Sequence, residues 1–176
     1  MDIRDALQAD LDAITAIYND AVENTTAIWN ERVVDVKNRR AWMVDRRAAG
    51  YPVLVADDDG DIVGYATFGD YRPFDGYRHT VEHSVYVRFD QRGRQVGWSL
   101  MVELIERARQ LDKHVMIAAV DAENSGSIRL HEKLGFVPAG ELRQVGTKFG
   151  RWLDLAFLQL TLEIGRAVQQ ECRDRR

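Results

Sequence analysis

The stretch Ser84-Val85-Tyr86-Val87-Arg88-Phe89-Asp90-Gln91-Arg92-Gly93-Arg94-Gln95-Val96-Gly97 runs directly into an apolar helical pattern from Trp98 to Leu111. It predicts a strand, a basic glycine-containing turn and a helix start, in that order. A helix N-terminus leaves backbone N–H groups without intrahelical acceptors and carries partial positive charge, so a tight turn placed there can cradle a phosphate or pyrophosphate. Arg88, Arg92 and Arg94 set three guanidinium groups beside that turn. A solvated basic turn capping an ordinary strand–helix unit would use the same residues. Two phosphate loops are absent: no G-x-x-x-x-G-K-[ST] occurs, and no G-x-G-x-x-G opens a helix here.

Outward from this stretch, the strand feeding it is Thr80 to Val87. Alternation places Glu82, Ser84 and Tyr86 on one face and Val81, His83, Val85 and Val87 on the other. A carboxylate in mid-strand is costly to bury, so Glu82 is either paired with a cation or functional, and desolvation would raise its pKa toward the range of a general base. After the helix, His114 to Val120 is a continuous apolar run of the kind found in parallel strands buried on both faces. A βαβ unit results. The polar loop Asp121 to Ser127 then leads into a short helix, Ile128 to Leu134, ended by Gly135, and Phe136 to Val145 and Trp152 to Glu163 read as a final antiparallel pair.

Upstream, residues 2 to 6 suit an edge strand, and Leu11, Ile14, Ile17, Tyr18, Ala21 and Val22 follow Asp10 at helical spacing. Ala27-Ile28-Trp29-Asn30 is an apolar loop whose Trp29 either folds over a ligand or plugs the core. Asp35 caps a second helix that ends at Gly50, and Val53 to Ala56 and Ile62 to Tyr71 form a hairpin about the aspartate-rich turn Asp57 to Asp61. That turn lacks the spacing and terminal Glu of a calcium loop. The loop Arg72-Pro73-Phe74-Asp75-Gly76-Tyr77-Arg78 is dense in Arg and aromatic residues, which suits either a small anionic ligand or a subunit contact.

The 176 residues, 45% of them hydrophobic, suit one domain over residues 1–163 with a polar tail over 164–176. A net charge of −4 argues against a general nucleic-acid binder. There is no apolar run long enough for a membrane span and no apolar secretory segment at the N-terminus, so the expectation is a cytoplasmic protein. The lone cysteine, Cys172, offers neither a disulfide framework nor a zinc cluster, and no metal site is expected. If the chain moves acyl groups, the lack of any other cysteine makes direct attack by the acceptor the simpler mechanism.

Two separated segments resemble one family. Arg92-Gly93-Arg94-Gln95-Val96-Gly97 is similar to the acyl-CoA-binding motif [Q/R]-x-x-G-x-[G/A] of the GNAT acetyltransferases, with Gln95 at the first motif glycine. Asn124-x6-His131-x-Lys133-Leu134-Gly135-Phe136 resembles the segment N-x6-Y-x-K-x-G-F of the same family, in the same order across the strand His114 to Val120. Nearly end to end the chain resembles the phosphinothricin and methionine-sulfoximine acetyltransferase branch, through Ile17-Tyr18-Asn19, Thr26 to Asn30, Gly50-Tyr51-Pro52, Arg72-Pro73-Phe74, Thr80 to Val87 and Lys148 to Asp154.

The resemblance implies an α/β fold: a mixed, twisted central sheet of about seven strands, splayed in the middle and flanked by about four helices. It implies acetyl-CoA in the splay, held by backbone of Val85, Tyr86 and Val87, by Arg92, Gly93, Arg94, Gln95, Val96, Gly97 and Trp98 around the pyrophosphate, and by Asn124 and Ser127. Glu82 corresponds to the general base, Arg72, Pro73 and Phe74 with Glu82 to the acceptor site, and His131 to a proton donor for the leaving thiolate. The implied activity is N-acetylation of a small free L-amino acid or analogue in a ternary complex, by a homodimer. Acetylation of another small amine or a protein N-terminus is a second reading, and a silent acyl-CoA-binding or sensing module a third. Gln95 is expected at ordinary negative φ with its side chain outward.

Overall fold

The structure is a computed structural model that describes residues 1–162. The polar tail expected over 164–176, Cys172 and the last residue of the final expected strand lie outside the described residues. Seven strands form one sheet: β1 (Asp2–Asp5), β2 (Val53–Asp58), β3 (Asp61–Asp70), β4 (Thr80–Val87), β5 (Val115–Asp121), β6 (Val137–Lys148) and β7 (Arg151–Thr161). Their spatial order is β1-β2-β3-β4-β5-β7-β6, and every neighbouring pair is antiparallel except β4 with β5. Four helices flank the sheet: α1 (Leu11–Asn24), α2 (Val36–Ala48), α3 (Val96–Gln110) and α4 (Ser125–Lys133).

Alternation along β2 explains why the sheet is covered on both faces. Leu54 and Ala56 enter one core with Leu100, Met101 and Leu104 of α3, whereas Val53 and Val55 enter a second with Ile14, Ile17 and Tyr18 of α1 and Met43 of α2. The crossover from β4 through α3 to β5 is the connection that parallel pairing requires. Asp35 caps α2 as its sequence implied, accepting from Asn38 N–H at 2.8 Å. The hairpin turn Asp59-Gly60 places both residues at positive φ, 55° and 90°.

Three boundaries differ from the sequence reading. α3 starts at Val96, because Gln95 turns the chain just ahead of it. α4 starts at Ser125, because the Asn124 side chain caps it by accepting from Ser127 N–H at 3.1 Å. β6 runs on to Lys148, beyond an interruption in its register between Leu142 and Gly146.

That extension ties the end of the sheet to the loop after α1. Lys148 is 1% exposed, and its ammonium donates to the carbonyls of Ile28 at 2.5 Å, Thr25 at 2.6 Å and Ala21 at 3.4 Å. Trp29 lies over Gly146, where an added Cβ would fall 2.3 Å from the indole ring, and its Nε1–H donates to Thr26 O at 2.9 Å. Trp29 therefore serves as packing for the hairpin. The clamp gives the segment 25–28 a fixed course along one side of the sheet.

Candidate active site

β4 and β5 pair over only three residues, Thr80↔Val115, Val81↔Met116 and Glu82↔Ile117. Beyond Glu82, β4 stays with β3 as far as Val87, and β5 stays with β7 as far as Asp121. The sheet therefore forks, and Glu82 is the last paired residue of β4 at the fork. Arg88 N–H donates to Val63 O at 2.9 Å on the β3 side, so by alternation the N–H groups of Val87 and Val85 point the other way, into the fork.

A cleft of about 750 Å³ occupies this fork. Of the residues expected at a coenzyme site, Val85, Tyr86, Val87, Arg92, Gly93, Gln95, Val96, Gly97, Trp98, Asn124 and Ser127 line it. Arg94 does not: its guanidinium is 3.6 Å from Asp58 and bonds Gln91. The first intrahelical bond of α3 is Ser99 N–H to Gln95 O at 3.0 Å, which leaves the amides of Val96, Gly97 and Trp98 without acceptors in the helix and facing the cleft wall. With Arg92 from the turn and Arg129 and Lys133 from α4, this is a donor set for an elongated polyanion. The donors fit a coenzyme pyrophosphate at the mouth, and the outward-facing strand amides fit a pantetheine arm within.

Gln95 departs from expectation. Its φ is 62° and ψ 14°, in the left-handed region, where the sequence reading had placed it at negative φ. A glutamine adopting the conformation that glycine takes easily keeps the turn's course, at a backbone cost of about 1–2 kcal/mol. The motif is altered in residue and kept in geometry.

His131 is not among the residues that line the cleft. It is 1% exposed, its Nδ1–H donates to Ser127 O at 2.7 Å, and its Nε2 meets His83 Nε2 at 2.9 Å. Phe136 packs edge-on against both rings. Burial lowers the pKa of each imidazole, so both are neutral near pH 7. The pair positions α4 through the carbonyl of Ser127.

Glu82, half-buried, has its pKa raised by desolvation and partly restored by the guanidinium groups of Arg72 and Arg46. Arg72 sits in the exposed loop after β3, with Cζ 5.2 Å from the Tyr71 ring, and Pro73 and Phe74 beside it are exposed. These four lie beyond the lining of the main cleft, on the Glu82 side of the fork. Sequence reasoning assigned no site role to Asp20, Ala21, Thr25, Thr26 and Ala27, nor to the basic pair Arg129 and Lys133, which also line the cleft. The signals available were the loop beginning at Ala27 and the four-residue spacing of the basic pair on a short helix.

The residues 14–136 match the model of the "Acetyltransferase (GNAT) family". The L-methionine sulfoximine/L-methionine sulfone acetyltransferase of Pseudomonas aeruginosa is 60% identical over 167 residues, 94% of this chain and 97% of that protein. The phosphinothricin N-acetyltransferase of Alcaligenes faecalis is 44% identical over 157 residues, 89% of this chain and 80% of its own. The YncA protein of Salmonella typhimurium, solved with its cofactor acetyl-CoA, superposes with a TM-score of 0.91 at 54% identity, covering 94% of this chain and 95% of that one. The forked sheet, the free amides opening α3 and these similarities agree, and the chain belongs to the GNAT acetyltransferase family, an enzyme class that uses acetyl-CoA as the acetyl donor.

Proposed function

We propose that this enzyme acetylates the α-amine of a small free L-amino acid or analogue of the methionine sulfoximine, methionine sulfone or phosphinothricin type. The observation that carries the reading is Glu82 at the fork: a desolvated carboxylate flanked by guanidinium groups, on the same strand whose free amides line the donor cleft. The similarity to the Pseudomonas and Alcaligenes enzymes supports the acceptor class.

In this reading the acceptor enters as an ammonium and gives a proton to Glu82, directly or through one water. The amine nitrogen then bonds to the acetyl carbon while the bond from that carbon to sulfur breaks. The carbonyl oxygen gains negative charge as this happens, and the Val87 N–H is the donor for it. Once bonded to the acetyl carbon the nitrogen carries one proton too many and gives it to water in the open cleft, the departing thiolate takes a proton from that water, and Glu82 returns its own to solvent.

The enzyme acts in this proposal as a homodimer in the cytoplasm, where acetyl-CoA is available. The support for a second copy is an uncovered sheet end: β6 is exposed along most of its length, with Val137, Leu142 and Val145 outward, and Phe149 and Trp152 beside it. Sedimentation tests this, with a monomer at micromolar concentration as the contrary result. Among the described residues no helix is long and apolar enough to cross a membrane.

The test of the activity is thiol release from acetyl-CoA over free amino acids, including methionine sulfone and phosphinothricin, with polyamines and N-terminal peptides alongside. Turnover confined to free amino acids supports the proposal. Turnover confined to peptides, or coenzyme binding with no turnover on any amine, overturns it.

A further inference from the structure

Arg46, in the last turn of α2, has no motif around it and, among the described residues, no partner. Its guanidinium is half-buried, and among the described residues none of its N–H groups donates to a protein acceptor and no carboxylate forms an ion pair with it. Burial lowers its pKa. The strongest neighbouring negative charge is Asp70, but that carboxylate is bonded by the Tyr51 hydroxyl. A desolvated, unpaired cation costs free energy unless something outside the protein compensates it.

The location of that cation is built, and by one glycine. Arg46 reaches over Gly69 with the tip of its guanidinium: a Cβ added there would fall 1.5 Å from Nη1 and 2.7 Å from Cζ. Gly69 is the register partner of Glu82. Residues directly opposite in an antiparallel pair project to the same face, with Cβ positions roughly 5 Å apart. The guanidinium therefore occupies the space beside the Glu82 side chain that any other residue at 69 would fill.

An α-amino acid carries its carboxylate on the carbon that bears its amine. If the amine is delivered to Glu82, the carboxylate falls within a few ångströms of that carboxyl, where Arg46 is held on a rigid helix and Arg72 sits on an exposed loop. Resting on the acceptor class argued above, we propose that Arg46 is the residue that binds the acceptor's α-carboxylate, and that the small residue at 69 exists to seat it. Arg46 then makes the enzyme select amino acids over simple amines. A planar fork of donors suits a carboxylate in a way that a lysine would not reproduce.

The experiment compares an L-amino acid sulfone with the amine left by removing its carboxylate, 3-(methylsulfonyl)propan-1-amine, in wild type, Arg46→Gln and Gly69→Ala. Gly69→Ala removes no charge and requires no unusual backbone angle, so it remains informative if Arg46→Gln is poorly folded. In both variants the acid-to-amine ratio of kcat/KM is expected to fall at least tenfold, through KM for the acid, while the Kd for coenzyme A stays within twofold. A ratio unchanged from wild type overturns the assignment of Arg46 and leaves the acceptor class standing. Equal losses for acid and amine overturn it too, since a merely structural role would act on both. A wild-type enzyme that acetylates neither compound and no free amino acid overturns the parent reading, and this inference with it.

Discussion

His83 and His131 meet through their Nε2 atoms at 2.9 Å, so one ring must donate to the other. His131 Nδ1–H is committed to Ser127 O, which makes its Nε2 the acceptor and His83 Nε2–H the donor. His83 Nδ1 is then a bare lone pair with no partner among the described residues. The whole tautomeric chain is fixed from the carbonyl of Ser127 inward.

This pair sets an acid limit on stability. Each imidazole has a folded-state pKa below its ordinary 6.5, because burial disfavours the charged form. The unfolded chain therefore takes up protons first as pH falls through 6.5, and stability that is full above that value is lost below it. The double variant His83→Leu with His131→Leu is expected to flatten the Tm between pH 6.5 and 5. A Tm profile as steep as that of the wild type would remove the pair from the acid response.

Glu82→Gln is expected to lower kcat/KM about 10²–10³-fold with coenzyme affinity unchanged. In the wild type the rate rises with pH as Glu82 ionises, above the usual carboxylate range because burial raises its pKa. Arg72 is the foremost cation holding that pKa down, so Arg72→Ala should move the acidic limb to higher pH as well as raise the acceptor's KM. A limb that stays in place, read from kcat/KM against pH, would separate Arg72 from Glu82.

At Gln95, substitution by glycine relieves the left-handed backbone cost but raises the entropy of the unfolded chain, two effects of about 1 kcal/mol and opposite sign. Gln95→Gly should therefore shift Tm by less than about 3 °C and coenzyme Kd by less than about threefold. A β-branched residue cannot adopt φ near +60° without strain. Gln95→Val is expected to lose on the order of 2 kcal/mol and to weaken the coenzyme more than tenfold, measured by urea unfolding and titration calorimetry. Equal behaviour of the two variants would show that this backbone angle is unimportant.

Lys148→Ala withdraws one ammonium from three carbonyls. Leaving buried acceptors unpaired costs about 1–3 kcal/mol each, and the cavity allows some to be hydrated, so a loss on the order of 3 kcal/mol is expected in urea unfolding. Coenzyme binding should weaken as well, since Ala21 and Thr25 line the cleft. An unchanged Kd would mean that the segment keeps its course without the clamp.

The strands, the helices and the glycine-containing turn ahead of α3 were legible because they are local. Alternation in Thr80–Val87, the helical stripe from Leu100 to Ala108 and the turn between them all act over a few residues. The boundaries of α3 and α4 were less so, because each is decided by one residue, a backbone angle at Gln95 and a side-chain cap at Asn124. The surroundings of His131 were illegible for a different reason: the ring that meets it comes from β4, 48 residues earlier. Arg46 and Lys148 left no local trace at all. What places them is a glycine across the sheet and a loop on the far side of the core.

The lysine clamp has a consequence for how the enzyme comes into being. Lys148 grips carbonyls that precede it by 120 and 123 residues at Ile28 and Thr25. A ribosome delivers α1, α2, α3 and the forked strands before that lysine emerges, so the wall of the donor cleft is among the last features to be secured. A nascent chain that stalls short of the final hairpin carries the turn ahead of α3 without the clamp that holds the segment 25–28 in place.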